Sequence, residues 1–187
     1  MLRIALFIDR ISTLVGSTAA MLVLPLGLIM TYEALARFIL NWPTFWAYEL
    51  SYMLTGAHFA LGIAMVTRNN AHIRIDILYS RMPPRVKYFL DFTILLFFMV
   101  PLIIWVSAGL VEYAWRSWVI GETSGESGWN PLVWPVRAAI ATGFVIFSAQ
   151  LISEAIKTGY LAFSVNSKND SRSVSYTHLT LPTNREV

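Results

Sequence analysis

The sequence lacks cysteine and is poor in charge. With no cysteine among 187 residues, there is no disulfide framework, thiolate nucleophile or cysteine-based metal site. Charged residues make up 13%, about half the roughly 25% of a soluble domain. So few charges cannot cover the surface of a globule that is 56% hydrophobic. That composition also excludes a disordered chain, which needs low hydrophobicity and high charge. An ordinary soluble enzyme is equally a poor fit. What is present is apolar and aromatic, with seven Trp. The net charge of +3 has a meaning that depends on where the basic residues sit.

The charges are missing in blocks. Charge-free runs cover 11–32 (22 residues), 50–67 (18), 92–111 (20) and 138–153 (16). A membrane-spanning helix needs about 20 apolar residues at about 1.5 Å each. The fourth run is extended by the apolar stretch 131–136, and Arg137 can snorkel to the interface. The pattern predicts an all-α membrane protein of four transmembrane helices, at about 11–37, 48–67, 87–112 and 132–158. The first run exceeds the 7–15 residues of a signal-peptide core, so an uncleaved helix is expected. Pro25 and Pro101 fall inside helices, where each removes a backbone donor that neighbouring helices can make good.

Four spans put both termini on one side. That side holds Arg3, Arg10, Arg68, Arg74, Arg81, Arg85, Lys87, Lys157, Lys168, Arg172 and Arg185. The other side holds Arg37, Arg116 and Arg137. The positive-inside rule therefore places the termini in the cytoplasm. The +3 reads as topology and contact with anionic lipid, with no nucleic-acid partner. Trp42, Trp46, Trp115, Trp118, Trp129 and Trp134 fall in or beside the two external connections, and only Trp105 lies within a predicted helix. An aromatic belt explains part of this bias; a protein partner explains the rest.

The connections carry the short motifs. Glu33 and Arg37 are spaced i,i+4 with the acid first, the favourable order for a helical pair. Asn41 and Pro43 mark a helix end and a turn. Glu49 opens the second span, where the helix dipole favours an acid; solvated helix ends are the plain alternative for all three charges. The cytoplasmic loop alternates strictly from His72 to Ile77. In an extended chain His72, Arg74 and Asp76 share one face and three isoleucines the other, so an interfacial segment is expected. No nucleophile accompanies the trio, and arginine repels a metal, so no catalytic or metal residue is assigned.

Arg37-Phe38-x-x-Asn41, then Trp46-x-x-Glu49-Leu50, then Gly56, Gly62 and His72-x-Arg74-x-Asp76 follow in order. This series resembles the small permease (DctQ-like) subunit of tripartite ATP-independent periplasmic (TRAP) transporters, over about residues 5–160. The resemblance implies a non-enzymatic, multi-pass subunit of the bacterial inner membrane with no cofactor. It implies that the chain braces a large permease subunit. That partner takes up a carboxylate-type solute by sodium symport, and a periplasmic solute-binding protein delivers the solute. Lipids are the remaining partner. The residues implied in subunit contact are Arg37, Asn41, Trp46, Glu49, Gly56, Ala60, Gly62, His72, Arg74 and Asp76.

The residues also speak for themselves. The four charge-free runs hold no group of the kind that costs about 2.5–3.5 kcal/mol at mid-bilayer and so marks a transport site. The two halves show no inverted repeat with broken helices. His58 is the one ionisable group deep in a span. It is expected to hydrogen-bond across helices or to join a polar seam with Thr55. Bis-histidine haem ligation, as in the membrane anchor of a redox complex, would need a second histidine at matching depth, and His72 and His178 do not offer it. A stand-alone four-helix structural protein is the other alternative. Small residues recur at Ser12, Gly16 and Ala20 and at Gly56, Ala60 and Ala64, spacings that let helices approach closely. The transmembrane domain is expected over 1–163. A disordered tail is expected over 164–187, with the run from Val174 reading as translated adaptor sequence.

Overall fold

The computed structural model describes residues 2–69 and 83–169. Among the described residues, four helical spans are long and apolar enough to cross a membrane: Ile4–Phe38, Ala47–Arg68, Val86–Ile120 and Trp134–Tyr160. The number and order match the charge gaps, but the helices overrun them. The first span is α1 (Leu2–Ala20) followed by α2 (Val23–Phe38). The second is α3 (Ala47–Arg68). The third runs through α4 (Pro84–Ile94), a π-helical turn (Leu95–Met99) and α5 (Val100–Ile120). The last is α6 (Trp134–Asn169). A charge gap measures the apolar stretch, whereas backbone hydrogen bonding carries a helix on into charged sequence.

Two expectations need correcting. Trp115 and Trp118 lie inside α5 rather than in a loop. The first span is broken at Met21–Leu22, one turn ahead of Pro25, whose missing N–H is expected to kink the helix. The last helix continues through Asn169, past the boundary expected at Phe163. The interfacial segment with His72, Arg74 and Asp76, and the run from 170, lie outside the described residues.

Each irregularity has a local cause. Pro101 has no N–H for the Phe97 carbonyl and its ring crowds that group. The π turn answers this, and Val100 N–H reaches back five residues to Leu95 O. Gly121 closes α5 in the left-handed region at φ 62°, and Glu122 N–H returns to Ser117 O at 3.1 Å. Asn41 does the same after α2 at φ 51°, while Trp42 N–H bonds Ala36 O at 3.0 Å. Asparagine tolerates that conformation better than most residues.

The last helix is the hub. It packs on α3, α5, α1 and α4, while α2 packs chiefly on α3. In the most apolar window of each span, 44% of the last is buried against 6% of the third, so the third span presents most of its surface outward. The buried stripe of α1 is Ala5, Asp9, Ser12, Gly16 and Ala19. That alternating spacing of four and three is a coiled-coil-like seam. It corrects the expected Ser12–Gly16–Ala20 stripe, because Ala20 is exposed and Ala19 takes its place. The Gly56, Ala60 and Ala64 stripe faces inward. Gly56 meets Ile140 of α6, and Gly143 lies against the Ala60 carbonyl so closely that a Cβ there would overlap it. Ala64 packs with Phe147 and Leu151.

Candidate functional site

Two polar clusters close the bundle, one at each end. At the end where α1 starts and α6 leaves the bundle, Asp9 is buried between helices. Lys157 Nζ donates to both its carboxylate oxygens at 2.8 Å. Gln150 Nε2 donates to Asp9 Oδ1 and to Glu154 Oε1, each at 2.9 Å. Gln150 Oε1 accepts from Ser12 at 2.7 Å. Lys157 Nζ also donates to Glu154 Oε1 at 2.9 Å. Arg68 of α3 sits 4.0 Å from Asp9 Oδ2 and donates to the Thr13 hydroxyl. Every polar atom of the buried Gln150 side chain is thus used, as a low-dielectric interior demands. The cluster joins α1, α3 and α6.

Sequence reasoning missed this cluster. Lys157 enters the sequence reading only through the basic-residue count that sets the orientation, and Asp9 not at all. The spacing of Asp9 with Ala5, Ser12 and Gly16 is the signal that could have found it.

The opposite end is built around the 39–46 turn and the 121–133 loop. Glu33 accepts from Arg37 Nε at 3.0 Å and from Thr44 N at 3.1 Å, and it also holds the Thr44 hydroxyl. The i,i+4 pair read from sequence is present, and it braces the turn as well. Trp46 stacks on Tyr32 with ring centres 6.0 Å apart. Glu49 is 0% exposed, which removes the solvated-end alternative for this residue. Its Oε1 accepts from Ser124 at 2.7 Å, tying α3 to the loop. Glu122 binds Arg137 through two contacts, one at 2.7 Å and the other shorter. Arg137 also lies 3.8 Å over the Tyr113 ring. The hydrogen bond from Arg137 is the main reason that the Glu122 carboxyl sits below the ordinary glutamate value. Ser124 N–H to Pro131 O at 3.0 Å and Val133 N–H to Glu122 O at 3.1 Å fold the loop back on itself.

The residues singled out from sequence therefore scatter. Arg37, Asn41, Trp46 and Glu49 shape the loop end. Gly56 and Ala60 pack inside the bundle. Gly62 has open space where a Cβ would stand. Between the clusters, His58 bonds the Ala19 carbonyl through Nδ1 at 2.9 Å, the interhelical bond expected of it. A groove of about 640 Å³ opens between α5 and α6, lined by Ile104, Ala108, Val111 and Val145. Its Ser107 and Ser148 hydroxyls lie 2.8 Å apart and both bond the Phe144 carbonyl. No group of three or more metal-ligating side chains exists among the described residues. Among the described residues, the arrangement can hold helices together.

A family model described as the DctQ component of tripartite ATP-independent periplasmic transporters matches residues 26–158. The match spans 133 of the 187 residues, more than half of the chain. No curated protein matches the chain. The chain belongs to this family of transporter components.

Proposed function

We propose that this member of the DctQ family is the non-catalytic small subunit that braces the large permease subunit of a TRAP transporter. The complex takes up a carboxylate-type solute coupled to sodium, and a periplasmic binding protein delivers it. The chain lies in the bacterial inner membrane with both termini in the cytoplasm, so the Asp9 cluster faces inward and the Glu49–Glu122 cluster faces the periplasm. The transmembrane domain covers 1–163, and Arg37, Asn41, Trp46, Glu49, His72, Arg74 and Asp76 support subunit contact.

One observation carries this reading: Asp9 with Lys157 and Glu122 with Arg137 are paired within the chain, while the third span leaves most of its apolar surface outward. Buried polar groups spent on structure favour a rigid scaffold, and spare apolar surface favours a membrane partner or lipid. The small-residue stripe on α3 serves internal packing, so contact with the large subunit falls to the outward faces.

The test is to co-express the tagged chain with the large permease subunit encoded beside it. The expected result is one complex that survives detergent extraction. Recovery of the tagged chain alone, with the large subunit transporting at full rate in its absence, would contradict the proposal.

A further inference from the structure

The break in the first span lies at the depth of His58. Beyond Ala19 the backbone tightens: Met21 N–H bonds Thr18 O at 3.1 Å and Leu22 N–H bonds Ala19 O at 3.0 Å. These are three-residue steps in place of the α-helical four. Pro25 is the local cause. It has no N–H to offer the Met21 carbonyl four residues back, and that carbonyl takes Leu24 N–H at 3.2 Å instead. The Ala19 carbonyl also receives His58 Nδ1 at 2.9 Å. A carbonyl only accepts, so Nδ1 carries the proton. An apolar surrounding offers no water to the loosened carbonyls, so a side-chain donor is what makes such a break tolerable.

The two halves are held unequally. The inner half, α1, buries Ala5, Asp9, Ser12, Gly16 and Ala19 against α3 and α6. It is also locked through Asp9 to Lys157. The outer half, α2, buries only Ala36. It packs chiefly on α3, and its side-chain ties are Glu33 to Thr44 and Tyr32 to Trp46.

We propose that the first span is a hinged helix. The outer half, Val23–Phe38, swings about Met21–Leu22, while His58 pins the open end of the fixed inner half. This goes beyond the bracing role and does not depend on it.

The absence of cysteine makes a site-directed test clean. Spin-label pairs are introduced into the full chain in lipid nanodiscs at exposed positions. Leu28→Cys with Val145→Cys reports on the outer half, and Leu14→Cys with Ile152→Cys on the inner half. The outer distance distribution should be the broader one. Pro25→Ala restores the missing donor and should narrow it. His58→Ala should broaden the inner distribution, and His58→Gln, which returns an amide donor, should reverse that. An outer distribution as narrow as the inner one overturns the proposal. So does a Pro25→Ala chain whose outer distribution is unchanged, a result that stands even if His58→Ala fails to fold.

Discussion

The two ends of the bundle are built differently. At the Asp9 end, side chains far apart in sequence meet directly, helix to helix: Asp9 with Lys157, Ser12 with Gln150, Thr13 with Arg68. At the Glu49 end, charged side chains hold loops: Glu33 holds the 39–46 turn, Glu49 and Glu122 hold the 121–133 loop. The first arrangement fixes how three spans stand together. The second shapes a surface on spans already placed. Damage to the first should therefore cost stability, whereas damage to the second should change the outer face of a chain that stays folded.

The largest effect is expected from Asp9→Ala. It removes one of the two carboxylates that Lys157 and Gln150 share and leaves them Glu154 alone; removing one partner of a buried pair costs roughly 3–5 kcal/mol. The low end applies, because the Lys157 side chain keeps 32% of its exposure. A drop in the thermal midpoint of the detergent-solubilised chain checks this; an unchanged midpoint would mean that the cluster is not structural.

Gly143→Ala comes next. The added Cβ overlaps the Ala60 backbone carbonyl, and backbone cannot turn aside as a side chain can. Overpacking of this kind costs about 1–3 kcal/mol. Gly62→Ala meets open space and serves as the control, with little change in the same midpoint.

A pH series separates the ends. Glu122 holds its proton more weakly in the folded chain than in the unfolded one, chiefly because Arg137 hydrogen-bonds its charged form. The stabilisation is thus complete above the ordinary glutamate value of about 4.3. It is lost as pH falls through the lower value of the folded chain. Trp118 and Trp134 pack edge to face at 4.3 Å beside this loop. Their fluorescence should change below that pH in the parent chain, and the change should vanish in Glu122→Gln. A transition well above pH 4.3 would point to another group.

The smallest effect is expected from Arg116→Ala. Its i,i+4 partner is Glu112, and the two side chains are 73% and 62% exposed. Such pairs contribute about 0.3–0.5 kcal/mol or less, so the thermal midpoint should move little. A large loss would place this pair in a contact that the isolated chain does not have.

The sequence made the loop end easier to read than the Asp9 end. Glu33 and Arg37 are four apart, and a local helical rule pairs them. Asn41 marks its turn because asparagine tolerates positive φ. The four spans were legible because charge is excluded from apolar stretches whatever their partners. The burial of Glu49 was not legible: an acid at a helix start reads equally well as a solvated dipole partner, and Ser124 lies 75 positions away. Asp9 was harder still. It stands just outside the first charge gap, its partners are over 140 positions distant, and the family match begins only at residue 26. Pro25 pointed to a kink, but the break needs His58 beside it, and no local rule places α3 against Ala19.

The central claim is that this chain braces a transporter without touching its solute. Reconstituted uptake by the complex with the large permease subunit tests it most directly, comparing the parent chain with Glu49→Ala. The account predicts a lower maximal rate, in proportion to the complex recovered, with the KM for solute unchanged. A shifted KM or an altered solute preference, at undiminished complex yield, would contradict it.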